Sequence, residues 1–300
     1  MFRFLGRPAR RAAVCTMGLA VAAALVVMPS GPAPLSSAAA AADRVPPQRA
    51  ASAAASSYPL FGRKADGHLY DYEPDRTGGL RAGVDLGGGY GEATALVQAD
   101  ISDGGAGNDL YLRMENTLYY TAERGGETKV IGGGWDIYTL LICAGNLGGS
   151  AEPDLVGRDK EGALWLYQGR PDGTLAGRIR IGSGGWNAMT GIAGRGDYTG
   201  DGKADLLARD TKGILYIYPG TGNAAADVAL GSRVTVGTGW NAYDALVSAG
   251  DTDGDGKADL IARDPAGALW LFKGTGESNA PFAARVKIGT GGWGAYNVLF

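Results

Sequence analysis

Cysteine, histidine and helical pattern are all scarce in this chain, and each scarcity removes a class of function. Two cysteines occur, Cys15 and Cys143. Cys15 falls in an N-terminal export segment and leaves with it, so no internal disulfide can form. Cys143, inside the apolar run "TLLICAG", reads as a buried strand thiol. His68 is the only histidine, so a Ser-His-Asp triad has one possible centre. It lies in the turn-to-strand stretch "ADGHLY" and reads as a surface strand residue. No G-x-S-x-G, Walker or zinc-protease motif is present. "GTGGWG" (289–294) fits G-x-G-x-x-G, but it belongs to a repeated corner and precedes a strand. No segment carries a convincing amphipathic helical period or cap series, which excludes a helical solenoid. Most acids fall in repeated loops, leaving no isolated carboxylate pair of the kind a glycosidase needs.

Basic charge is also short once the N-terminus is set aside. Arg3, Arg7, Arg10 and Arg11 precede the uncharged stretch Ala12–Val27, which is too short to span a bilayer comfortably and is followed by Pro29. Small residues lead to "AAAAAD", with cleavage expected after Ala42. The Arg10–Arg11 pair lacks the usual twin-arginine continuation, which favours the general export route. Residues 1–42 hold four of the 28 basic residues and none of the 31 acidic ones, so 24 basic face 31 acidic residues, a formal −7. That balance argues against nucleic acid and anionic membrane as partners. With the signal removed, no stable membrane insertion is expected. Residues 43–57, "DRVPPQRAASAAASS", have no apolar period and read as a disordered leader.

What the chain has in abundance is glycine, 52 residues without a Gly-X-Y period, which implies many tight turns and short strands. From Tyr58 onward the sequence repeats. "DLVGRDKEGALWLYQG" (154–169), "DLLARDTKGILYIYPG" (205–220) and "DLIARDPAGALWLFKG" (259–274) are clear copies; residues 59–74 and 109–123 are weaker ones. The shared arginines Arg63, Arg113, Arg158, Arg209 and Arg263 are separated by 50, 45, 51 and 54 residues. A second marker, a glycine-rich corner ending in an aromatic, keeps the same beat at Tyr90, Trp135, Trp186, Trp240 and Trp293. Five copies at a period near 50 predict an array or propeller. Each unit reads as four strands; in the fourth they are "AMTGIAG", "DLLAR", "ILYIY" and "VALGSRVTVG". In "LYIY" both faces are apolar or aromatic, so both must be covered, as they are when blades stack around an axis. The first unit lacks a first strand, and "AYNVLF" at the C-terminus matches one. The expected fold is therefore an all-β, five-bladed propeller over residues 58–300, closed by its last strand.

The spacing D-x-[DNT]-x-D-G-x-x-D occurs twice. Asp197, Thr199, Asp201 and Asp205 form one loop; Asp251, Asp253, Asp255 and Asp259 form the other. Alternate side chains of a tight loop converge, Gly202 and Gly256 permit the turn, and the carbonyls of Lys203 and Lys257 would face inward. Hard oxygen donors without His or Cys favour calcium. An EF-hand needs a glutamate where Ala208 and Ala262 stand, and the following residues read as strand. These loops resemble FG-GAP/VCBS repeats, known from integrin α-subunits and secreted bacterial proteins; "GDYTGDGKADLLARDTKGILYIYPGTG" (196–222) is close to the bacterial pattern. The resemblance implies a β-propeller with calcium between the first and second strands of a blade. Loops 100–109 and 146–154 depart from the pattern, and no metal is carried over to them.

The functional expectation is a secreted, monomeric, non-catalytic binding module with a glycan or protein ligand. Tyr90, Trp135, Trp186, Trp240 and Trp293, next to glycines and twice to asparagine (Asn187, Asn241), suit stacking on sugars. The same rings also suit a role as wedges between blades.

Overall fold

The computed structural model describes residues 55–102, 109–123 and 125–300. The expected export segment, residues 1–42, and residues 43–54 of the expected leader lie outside the described residues. Twenty described strands form five four-stranded antiparallel sheets arranged as a β-propeller. Blade 2 holds β4 (Ala93–Ala99), β5 (Asp109–Met114), β6 (Thr117–Thr121) and β7 (Thr128–Gly132). Blade 3 holds β8 (Tyr138–Cys143), β9 (Leu155–Asp159), β10 (Leu164–Tyr167) and β11 (Ile179–Gly182). Blade 4 holds β12 (Met189–Gly196), β13 (Asp205–Asp210), β14 (Leu215–Tyr218) and β15 (Val234–Gly237). Blade 5 holds β16 (Ala245–Gly250), β17 (Asp259–Arg263), β18 (Leu269–Phe272) and β19 (Val286–Gly289).

Blade 1 is assembled from both ends of the described chain, in the order β20 (Tyr296–Leu299), β1 (Leu60–Lys64), β2 (Leu69–Tyr72) and β3 (Val84–Asp85). Gly62 pairs with Leu299 and Arg63 with Val298. Phe61 and Phe300 exchange backbone hydrogen bonds of 2.8 and 3.0 Å. The last strand thus closes the ring, as the sequence predicts.

The alternation in "LYIY" explains how each sheet packs. Leu215 and Ile217 are fully buried on one face of β14. On the other face, Tyr218 meets Trp186 from the end of blade 3 at 4.6 Å between ring centroids. The fourth strand of blade 4 is shorter than expected: it covers only Val234–Gly237, with a register shift opposite Leu215 and Tyr216, and a lone bridge joins Gly220 and Leu230. Pro219 ends β14 because it has no N–H to donate to the ladder.

Residues 55–57, expected to be disordered, instead lie against blade 5. The Ala55 amide donates to Gly256 O at 2.9 Å, and Ser57 bridges to Gly250. The first strands of neighbouring blades, β4, β8, β12 and β16, touch one another and line a central channel of about 410 Å³.

Candidate functional site

Three features recur around the ring and frame the candidate site: the crossover between blades, the arginine beneath it, and the loop between the first and second strands.

Each crossover into blades 3, 4, 5 and 1 opens with one 3-10 turn, Trp135–Ile137, Trp186–Ala188, Trp240–Ala242 and Trp293–Ala295. The glycine before each turn holds a φ of 82–86°, left-handed backbone that a side chain would strain. The aromatic amide donates back to the turn of its own blade, as Trp240 N does to Gly213 O at 3.0 Å. Its ring stacks on the third strand of the next blade. Trp135 meets Tyr167, Trp186 meets Tyr218, Trp240 meets Phe272 and Trp293 meets Tyr72, with centroids 4.5–4.7 Å apart. Tyr90, Trp135, Trp186 and Trp240 are only 7–8% exposed, and Trp293 is half-buried. Of the two readings open for these rings, this packing is that of wedges. Each crossover offers solvent its glycine-rich corner and the pair of residues after the aromatic, such as Asn187 and Ala188 or Asn241 and Ala242. The two asparagine amides also brace the neighbouring turns, donating to Lys160 O at 2.9 Å and Thr211 O at 3.2 Å.

The repeated arginines explain their own spacing. Nη1 of Arg63, Arg113, Arg158, Arg209 and Arg263 donates at 3.0 Å to the carbonyl of Tyr90, Trp135, Trp186, Trp240 and Trp293 respectively. The same Nη1 also reaches the carbonyl three residues further on. The Nε group donates to the first strand of the same blade or the residue just before it: Asn297, Thr94, Thr139, Thr190 and Asp244. One guanidinium per blade therefore ties the inner strand to the outgoing crossover. In the sequence these arginines served only as spacing markers; their recurrence at one strand position was the available signal for this role.

The aspartate loops join β12 to β13 and β16 to β17, where the family resemblance places them. Asp251, Asp253 and Asp259 each bring a carboxylate oxygen within 4.8 Å of the others, and such a cluster could hold a metal ion. Asp259 is fully buried and Asp251 nearly so. Asp251 accepts from the amides of Gly254, Asp255 and Gly256, which wraps the loop about one carboxylate. Gly254 and Gly256 have φ of 84° and 86°, so the turn relies on residues without a Cβ. Asp253 pairs with Lys273 Nζ at 2.8 Å. Asp255 is exposed and accepts from the Lys257 amide at 2.9 Å, so it stands apart from the other three.

The loop of blade 4 has the same frame. Asp197 accepts from Gly200, Asp201 and Gly202, and Gly202 has a φ of 81°. Asp205 is fully buried, accepting from Tyr198, Thr199 and Gly220. Asp201 is exposed and faces Lys203, whose Nζ lies 3.3 Å away. Thr199 Oγ1 is buried and has no hydrogen-bond partner, as is Thr252 Oγ1 in blade 5. Burial pushes the carboxyls of Asp205 and Asp259 up to about 6, and nearby aspartates add to the rise. Each loop therefore holds a buried carboxylate whose ionised form a cation would favour.

His68, read from the sequence as a strand residue, is a partly exposed residue just before β2, facing Asp85 with Nδ1 3.0 Å from Oδ2. Cys143 is buried on β8. At the aspartate-loop end of the channel, Arg195 of blade 4 crosses to Gln98 of blade 2, donating to its side chain and its carbonyl. Its guanidinium lies 4.4 Å from the centre of the Tyr58 ring. Sequence reasoning missed this contact, which joins residues 97 apart.

No curated protein matches the sequence. Among solved structures, one titled as the Dos1 propeller is 10% identical, with a TM-score of 0.34. The match covers 78% of this chain and 56% of that one, so the chain spans little more than half its length. Residues 197–262, which contain both aspartate loops, match the family model of the FG-GAP-like repeat, the family that the loop sequences resemble.

Proposed function

We propose that this chain is a secreted, non-catalytic binding module that holds calcium in its aspartate loops and takes an extracellular carbohydrate as ligand. An FG-GAP-like propeller suggests a module for binding or adhesion. Calcium is supported by the donor chemistry. Three carboxylate oxygens lie within 4.8 Å in blade 5, and oxygen-only sets suit a hard cation. Asp251, Asp253 and Asp259 would hold the ion there; Asp197, Thr199 and Asp205 are their counterparts in blade 4. Asp201 and Asp255 stay near the rim, and the carbonyls of Lys203 and Lys257 remain candidate donors. Bound calcium would pin the loop to the strand that follows, and so serve the scaffold.

The observation that carries the ligand reading is the fivefold repetition of the crossover face. With the rings wedged between blades, the aromatic positions contribute their edges, and the exposed residues after them supply polar groups. Glu92, Asp136, Asn187 and Asn241 all stand there. Amides and carboxylates repeated around a ring suit sugar hydroxyls, and weak repeated sites gain avidity on a repetitive glycan. Glycan-array binding by wild type and by the Asn187→Ala, Asn241→Ala double variant tests this. Retention of a glycan by the wild type, weakened in a variant that stays folded and loses only the small stability of the two turn hydrogen bonds, is expected. Wild type retaining no glycan would overturn the carbohydrate reading and favour a protein ligand.

A further inference from the structure

The central channel carries a charge distribution that no role described so far uses. Its lining includes Arg63, Arg113, Arg195, Arg209 and Arg263 but only one acidic side chain, Asp244. Arg195 is engaged with Gln98 and Tyr58 at the aspartate-loop end. The other four stand toward the crossover end, at the C-terminal part of each second strand. Asp244 is bonded to Arg263, with Oδ1 2.7 Å from Nε. The matching Nε partners of Arg63, Arg113 and Arg209 are neutral: Asn297, Thr94 and Thr190. Three guanidinium charges at this mouth therefore lack a hydrogen-bonded carboxylate. Nη2 of Arg63, Arg209 and Arg263 makes no hydrogen bond to any described residue, and Nη2 of Arg113 has only a 3.5 Å contact with Thr94 O. Burial lowers the pKa of Arg63, Arg113 and Arg209, the mark of partly desolvated charge, and outweighs the opposing pull of Asp136 on Arg113 and of Asp244 on Arg209. This positive mouth belongs to a chain that is acidic overall, so it is local in origin.

We propose that the channel is a binding site for one small oxyanion, a carboxylate, sulfate or phosphate group, received by the Nη2 donors of these arginines. The fork geometry of arginine suits such groups, and low-dielectric walls strengthen the attraction. The volume of about 410 Å³ falls in the range of small-molecule sites. Half-buried Leu140, Ile142 and Leu246 form part of the wall and would favour a ligand with an apolar body behind its charged head. This inference is independent of the carbohydrate reading, since it concerns the interior of the ring and not the crossover face.

The test copies a pairing the ring already contains. Thr190→Asp gives Arg209 the kind of partner that Arg263 has in Asp244, whereas Asp244→Thr removes that carboxylate. Calorimetric titration at low ionic strength would use three probes: citrate, inorganic phosphate and sulfate. Citrate binding alone marks an organic carboxylate as the ligand; binding of the inorganic ions as well marks the oxyanion itself as sufficient. Stoichiometry of one is expected, with affinity falling with salt, weakened on the order of tenfold by Thr190→Asp and strengthened by Asp244→Thr. Melting curves confirm that each variant is folded. Should Thr190→Asp fail to fold, the opposite change at Asp244 still decides the matter. Absence of binding by all three probes, or binding indifferent to the substitutions in folded protein, overturns the proposal.

Discussion

Arg209 is 7% exposed, yet no carboxylate is hydrogen-bonded to it; its partners are two crossover carbonyls and the Thr190 hydroxyl. A charge-assisted bond to a carbonyl is stronger than a neutral one, and it satisfies backbone that a crossover would otherwise leave unpaired. The ring above it works by volume. Trp240 touches Tyr243, Phe272 and Phe282 from neighbouring segments, and cutting it back to alanine opens a cavity between blades 4 and 5. Trp240→Ala is expected to cost about 3–5 kcal/mol in denaturant unfolding, as for a large buried aromatic. A loss below about 1 kcal/mol would mean that the ring is dispensable to packing and free for a ligand.

At the level of the element, the aspartate loop is a turn built around carboxylates that would hold a proton more readily than usual. Asp205 and Asp259 stand at about 6, and Asp154 in the degenerate loop of blade 3 stands at about 7, all through burial. Their unfolded values lie near 3.8. Between these limits the folded chain binds more protons than the unfolded one, so these groups lower stability as pH rises from about 4 to 7. Carboxyls held low by hydrogen bonds, such as Asp109 and Asp159, act below that window, where acid removes their contribution. In chelator, the melting temperature should fall across pH 4–7; saturating calcium should remove much of the fall due to Asp205 and Asp259. Asp259→Asn should flatten the profile in chelator and abolish the response to calcium in its own loop. A profile indifferent to both chelator and calcium would return the loops to plain Asp-Gly turns. The loop sequence announced the cluster of Asp251, Asp253 and Asp259 because alternate residues of one short turn must converge. It did not announce that Asp201 and Asp255 are exposed: both keep the same alternate-residue spacing, and only the packed strand end decides which carboxylate is buried.

At the scale of the molecule, one strand from the far end of the chain completes the first blade. Without Tyr296–Leu299, β1 would present a bare edge and Phe61 would lose the Phe300 ring, 5.5 Å away. Deleting residues 295–300 should lower the melting temperature by more than 10 °C, roughly the effect of losing several kcal/mol in a domain of this size. An unchanged melt would show that the ring holds without its clasp. Closure was readable because "AYNVLF" repeats the first-strand pattern of "AYDALVS". The channel was not, since its arginines come from units about fifty residues apart and meet only once the ring has formed. The 3-10 turns escaped too, being a single turn long and too short for any periodicity.

The clasp also sets an order of events. Arg63 and Asn297, joined by a hydrogen bond, are 234 residues apart in sequence. Blades 2 to 5 can each form from neighbouring residues, as hairpins growing in succession. Blade 1 has to wait for residues 296–299, and drawing its two parts together is the costliest loop closure in the fold. Until then the chain is a split washer, with the edge of β1 open. That interval is when a partner offering a strand edge would find this protein most receptive.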